Sequence, residues 1–533
     1  MTVTSFKRWP WLAGALALGA TMAAGPALAQ NTITIVRELD SNNYDPHKST
    51  ARAASEVLFM LGDTLVSLDY DMATIKPGLA ESWTVSEDGK TYTFKLRGDV
   101  SFCDGKRMTA DDVVYSLKRW IDPETKSPVR WRAGPVEDIV AKDPQTVEYR
   151  LKAPFSEMLY QLTQSFAVVI DKANVEALGN DFGVKGFNGT GPFCWGDWKP
   201  RNDMTLKRHA AYKWGPPIYE NRGPAGVQEI VWKIVPEEAT RLAAVMTGQS
   251  QVTQYVPFSG YQVLRRNPQI RVVESKEAFW TNFIGFKLDK EGVSDPEVRR
   301  AMVMAVDQAA MSKNLFFGEV EPANSYISRD ALDWNKEIEG KLPRTNVEEA
   351  NRIIDAAGWA RGPDGVRVKD GKRLSPLGYS FSAPQFRTIM EAVQGDVRKI
   401  GVDMRIQLFD ATAGWGKLAT QEFDLFALSF PYISAGDALN LYFRSGNIPS
   451  PNRMNFRDAG VDKLLDQGMT AVDPADRAKA YGEVLRQVHE QNVWIPLFHE
   501  PMKVAASNRL APIKAHNIYG CGLYKGLDLK FVR

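Results

Sequence analysis

Histidine and cysteine are scarce here: five His and three Cys in 533 residues. No two of His47, His209, His489, His499 and His516 stand at ligand spacing, which argues against a built-in metal site. There is no phosphate-binding G-x-x-x-x-G-K-[ST] loop, no G-x-S-x-G elbow and no H-E-x-x-H helix, so the usual signatures of nucleotide, ester and zinc-peptide hydrolysis are missing. "GCGLYKG" (Gly520 to Gly526) has the glycines of a nucleotide loop but ends in a strand-like tail instead of opening a helix. An excess of one charge is lacking too. Lys+Arg number 66 against 64 Asp+Glu, which excludes the basic surplus expected of a nucleic-acid or anionic-membrane partner. Long polar linkers, low-complexity tracts and a fixed repeat period are absent, so any lobes must be joined by short crossings.

The only long apolar run is at the start. "MTVTSFKR" is short and basic, "WPWLAGALALGATMAAG" is apolar, and Ala27-Leu28-Ala29 supplies small residues before Gln30. This pattern predicts a secretory signal peptide over 1–29, cleaved before Gln30, and hence a periplasmic protein. The run falls short of the ~20 residues of a spanning helix. No Cys follows the cleavage point, which argues against a lipid anchor. Three cysteines, Cys103, Cys194 and Cys521, are an odd set for an exported chain, so one thiol lacks an intramolecular partner. A Cys103–Cys194 bond is favoured because both lie in turn-rich segments of the N-terminal third; three free thiols is the alternative.

What is present is a long alternation of strands and helices. "NTITIV" alternates as a strand, and 51–66 carries helical spacing. "GLAESWTVSEDGKTYTFKLRGDVSF" predicts a hairpin about Asp88-Gly89. Thr109 and Asp112 form a capping box ahead of "VVYSLKRW". Asp104, Asp111 and Asp112 cluster as if for acid/base work, but a turn followed by a helix N-terminus wants them anyway. "SDPEVRRAMVMAVDQAAM" is the strongest helix, with Ser294 and Glu297 as its capping box and Val298, Met302, Ala305, Val306 and Ala309 inward. Helices follow at 346–359, 386–400 and 474–490, with strands "LGYSFSA", "VDMRIQLF", "FDLFALS" and "WIPLF". The pattern predicts an α/β protein of two lobes. The stretch "FALSFPYISAGDALNLYF" (Phe426 to Phe443) reads as an aromatic-rich loop, either core or the wall of a cleft.

The ordered segments "KPGLAESWTVSEDGKTYTFKLRGDVSFCDGKRMTADDVVYSLKR", "GTGPFCWGDWKPRNDMTLKRHAAYKWG", "SDPEVRRAMVMAVDQAAMSKNLFFGEVEPANSYI" and "IGVDMRIQ…FDLFALSF" resemble the extracytoplasmic solute-binding proteins of ABC importers, family 5, the dipeptide, oligopeptide and nickel binders. The resemblance spans essentially the whole mature chain. It implies a type II periplasmic binding protein fold. Lobe I would be 30–76, 197–287 and 506–533, an inserted subdomain 77–196, and lobe II 288–505, with crossings near 286 and 505. It implies a monomer that closes on a small solute by hinge motion and hands it to permease subunits served by cytoplasmic ATPases. No cofactor and no catalysis are expected. A metal-chelate or nickel binder is the alternative within the family, and a secreted hydrolase the alternative outside it.

The resemblance also directs attention to particular residues. In peptide-binding relatives the segment matching Phe430 carries Gly-Trp and then an Asp for the peptide ammonium. Here Ser429-Phe430 stands for Gly-Trp, Tyr432 or Ile433 falls at the Asp, and Asp437 matches a later acid. Ser380 occupies the place of the carboxylate-clamping Arg, with Arg387 nearby. Neither end of a dipeptide meets its usual partner, so the expected pocket is ring-lined and uncharged, suited to a peptide-like solute, an opine or an oligosaccharide. The expected ligand contacts are Asn42, Asn43, Tyr44, Trp280, Asn282, Arg387, Trp415, Phe430, Tyr432 and Asp437.

Overall fold

A computed structural model describes residues 31–532 except Tyr255, Asn324, Glu339 and Leu342, and omits the side chains of Ala411 and Thr412. The expected signal peptide, 1–29, lies outside the described residues. Among those described, no helix is long and apolar enough to cross a membrane.

The alternation of the first strand, Thr32–Arg37, buries Ile33 and Ile35 completely. It pairs in parallel with Glu229–Ile234 on one edge and Val252–Thr253 on the other. Being covered on both edges, it is the centre of a seven-stranded sheet. The order across that sheet is Ile270–Glu274, Lys503–Ser507, Val252–Thr253, Thr32–Arg37, Glu229–Ile234, Asp203–Arg208, Phe193–Lys199. A six-stranded sheet runs Glu321–Pro322, Trp494–Glu500, Trp280–Phe286, Leu425–Pro431, Leu377–Phe381, Arg405–Phe409. A third sheet of four antiparallel strands, Ala80–Val85, Thr91–Leu96, Thr146–Leu151 and Val136–Asp143, lies within the segment read as an insertion.

Sheet membership departs from two expected limits. Lys503–Ser507, cut by the limit at 505, lies wholly in the seven-stranded sheet. Trp280–Phe286, placed in lobe I on sequence, is the central strand of the six-stranded sheet, hydrogen-bonded to Leu425–Pro431 and Trp494–Glu500. Its sequence, WTNFIGF, is buried almost without interruption, as a strand covered on both faces should be. The chain therefore changes sheets at 275–279 and returns at 501–502. These two crossings run side by side. The Ser275 N–H donates to the Met502 carbonyl at 2.8 Å, and the Met502 N–H donates to Ser275 Oγ at 2.9 Å.

Local chemistry sets the helix limits. The capping box at Ala110–Ile121 forms as the spacing predicts, with the Thr109 N–H donating to the Asp112 carboxylate at 2.9 Å. The expected long helix from Ser294 instead divides in two, Pro296–Ala305 and Gln308–Asn314. Asp295, not Ser294, caps the first by accepting from the Glu297 N–H, and Asp307 caps the second by accepting from the Ala310 N–H. A cap carboxylate inside an apolar period starts a new helix rather than continuing the old one. The stretch Phe426 to Phe443 is likewise not a loop. It holds all but the first residue of strand Leu425–Pro431 and the whole of helix Ala435–Phe443, capped by Ser434.

Cys103 and Cys194 are joined, which ties the turn before Ala110–Ile121 to the edge strand of the seven-stranded sheet; Cys521 is a buried thiol.

Candidate functional site

A cavity of about 640 Å³ is lined by residues from the ends of both large sheets beside the crossings. Each side contributes residues. The seven-stranded side supplies the turn after its central strand (Arg37 to Asp40), the start of helix Arg52–Leu61, and helix Phe258–Arg265. The six-stranded side supplies Trp280, Phe381, Gln385, Phe386, Trp415 and Ser429, and the second crossing supplies Glu500 to Lys503. A cavity lined from two different sheets is where many side chains converge on a small molecule without disturbing the packing of either sheet.

Trp280 is the fixed ring of this site. Its indole N–H donates to Ser429 Oγ, and the Arg52 guanidinium lies 4.9 Å from its centroid. Gly520, from the segment "GCGLYKG", packs on the indole. Its φ is +68°, and a Cβ there would stand 2.6 Å from the ring. The glycines of that segment thus serve close packing. Trp415 is the adaptable ring: 52% exposed, tilted against Phe381 at 5.1 Å, with the Arg453 guanidinium 5.4 Å from its centroid.

The expected uncharged lining is not what the structure contains. Arg52 and Glu500 both reach the cavity. Burial pushes the Glu500 carboxyl above its ordinary pKa, against the pull of Lys503 and Arg52 and of the hydrogen bond from Gln385. Lys503 is itself buried. It donates to the Glu319 carbonyl at 2.5 Å, joining the second crossing to the six-stranded side. The site can therefore offer a guanidinium and a carboxylate, a few side chains apart, between aromatic faces.

Of the residues named from sequence, Trp280 and Trp415 line the cavity. Tyr44 is fully buried behind it; its hydroxyl accepts from Arg37 at 2.7 Å and donates to Asp40 at 3.0 Å, and its ring meets Trp195 and Trp198. Asn42 is exposed, and Asn43 caps its own turn by accepting from the Asp45 N–H. Asn282 is buried and supports Gln385, accepting from its amide at 3.3 Å. Arg387 points to solvent and pairs with Glu391 at 3.6 Å, whereas its helix neighbours Gln385, Phe386 and Thr388 face the cavity. Phe430 is half-buried edge-on to Tyr442. Tyr432 is core, its hydroxyl accepting from the Ser328 N–H at 2.5 Å. Asp437 is buried in an ion pair with Arg132 at 2.7 Å. Of the residues that line the cavity, sequence reasoning did not name Arg52, Gln385 and Glu500. The usable signal for Glu500 was its place at the end of "WIPLFHE", just before the crossing.

One group of potential metal donors gathers among the described residues, Cys103, Cys194 and His209. Its two sulfurs are bonded to each other.

The family profile described as bacterial extracellular solute-binding proteins, family 5, middle, matches residues 74–450. This chain belongs to that family. The glutathione-binding protein GsiB of Salmonella typhimurium is 26% identical over 524 residues, 95% of this chain and 96% of that one. Two solved structures share the fold. NikA from Brucella suis, in complex with Fe(III)-EDTA, superposes at TM-score 0.83 with 22% identity, covering 94% of this chain and all of that one. The periplasmic binding protein DppA from Helicobacter pylori, in complex with peptide STSA, superposes at 0.80 with 21% identity, covering 94% and 98%. The fold is thus the two-lobed type II periplasmic binding fold, and the cavity lies between its two large sheets. Proteins of this family bind solutes for ABC importers, and the family is extracytoplasmic.

Proposed function

We propose that the protein is exported, loses residues 1–29, and acts as a monomeric periplasmic receptor that captures a small peptide-like solute between its lobes for an ABC permease, without altering it. The observation that carries this reading is the cavity itself. Arg52 and Glu500 set opposite charges beside Trp280, as a solute with both carboxylate and ammonium groups requires, and the aromatic faces take the body of the solute. The lobes would be the seven-stranded unit with its four-stranded insertion and the six-stranded unit, hinged at 275–279 and 501–502. Closure would be driven by contacts that a solute makes with both at once. The similarity to a glutathione-binding protein and to a peptide-bound structure supports a ligand of this class, since glutathione and short peptides carry both charges.

Native mass spectrometry of the freshly purified exported protein, followed by calorimetric titration with glutathione, dipeptides, opines and a Ni(II) chelate, tests the reading. One intact solute per chain is expected, with both charges and unchanged mass after prolonged incubation. Tight binding of a neutral oligosaccharide or of a metal chelate alone would overturn the solute class, and release of a cleaved product would overturn the receptor reading.

A further inference from the structure

Arg453 is a half-buried cation with no carboxylate partner among the described residues, and its Nε is enclosed. It sits in the loop after helix Ala435–Phe443, between two buried neighbours that hold the backbone. The Asn452 amide donates to the Phe456 carbonyl at 2.8 Å and the Arg444 carbonyl at 3.1 Å, and Met454 packs against the Trp494 indole. The Arg453 side chain leaves this anchored loop and lays its guanidinium on Trp415, a ring of the cavity. Its Nε is buried with no hydrogen-bond partner, and Nη1 reaches only the Pro451 carbonyl at 3.5 Å. No carboxylate of a described residue is within ion-pairing distance. The titratable group acting on it is the Tyr442 phenol, itself buried and uncharged at neutral pH. Burial holds the guanidinium below its ordinary pKa, the mark of an uncompensated charge.

A partly desolvated guanidinium with an enclosed, unpartnered Nε is costly unless an anion offsets its charge, and its planar fork matches a carboxylate. Deepening the receptor reading, on which it rests for the solute itself, we propose that Arg453 is the anion anchor of the cleft, binding a carboxylate of the solute that lies across Trp415. Arg52 stands at the other tryptophan. The two guanidiniums would then sort solutes by carboxylate placement, favouring those with more than one, and Glu500 takes the ammonium.

The test uses the purified exported protein as wild type, Arg453→Met and Arg453→Lys, with sodium glutarate against sodium chloride at matched ionic strength. At ~100-fold excess over its Kd, glutarate should raise the wild-type Tm by roughly 2 °C. Arg453→Met should melt higher than wild type without anion, because the unpaired charge is gone, and should not respond to glutarate; Arg453→Lys should respond partially. For a carboxylate solute recovered from the protein, Arg453→Met should weaken binding about 100-fold. No glutarate-specific rise in the wild type, or an equal rise in Arg453→Met, overturns the anchor. The two readings fail separately. A bound solute lacking carboxylate removes the anchor and leaves the receptor, whereas a wild-type glutarate response that Arg453→Met abolishes, with no solute ever bound, keeps the anchor and removes the receptor.

Discussion

Glu157 makes the pH dependence of folding calculable. It lies in the segment after the four-stranded sheet and meets the six-stranded unit: Ser434 donates its hydroxyl to Oε2 at 2.7 Å, while Oε1 is buried with no hydrogen-bond partner. Arg477 attracts the charged form, Asp437 and Asp333 oppose it, and burial dominates, pushing the carboxyl up to about 7. The folded protein thus prefers this carboxyl protonated. The stability this contributes is fully present below the unfolded value of ~4.5, and is lost as pH rises through about 7. A rise of some 2.5 units corresponds to about 3 kcal/mol between pH 4.5 and pH 8. Glu157→Gln keeps the shape, cannot ionise and removes this term. Urea unfolding at pH 4.5 and pH 8 should therefore find the two proteins nearly equal at the lower pH. At pH 8 the variant should be the more stable by about 3 kcal/mol. Parallel pH profiles for the two proteins would refute the reasoning, because they would mean that Glu157 is charged and compensated in the fold.

Three further outcomes follow from named contacts. Trp415→Ala should leave the melting temperature within about 1 °C, since the ring is half exposed, yet weaken solute binding at least 10-fold in calorimetry. Gly520→Ala forces a Cβ against Trp280 in a left-handed backbone, and should cost about 2 kcal/mol in denaturant unfolding as well as blunting binding. Cys194→Ser opens the link to Cys103 across 91 residues, and should lower stability by about 4 kcal/mol under oxidising conditions, whereas Cys521→Ala should change it far less.

The architecture was legible because it depends on period and caps, which are local. Thr109 with Asp112, the alternation of Thr32–Arg37 and the helix at 474–490 all follow from patterns within a few residues. The site was less legible because it depends on which face of a strand or helix meets the other half of the molecule. Helix Pro384–Arg398 shows the limit. Arg387 is the residue a sequence reader selects for its charge, yet the helix turns Gln385, Phe386 and Thr388 to the cavity and Arg387 to Glu391. Asp437 is likewise engaged internally, by Arg132 some 300 residues earlier in the chain. An ionic side chain in this protein can be assigned to a ligand only after its internal partners are counted. By that count Tyr44, Tyr432 and Asp437 are occupied, and Arg453 is not. The selectivity of the cleft should then follow Arg453 rather than the acid that sequence alone would nominate: Asp437→Asn should damage stability at the Arg132 contact, while Arg453→Met should alter which solutes are held.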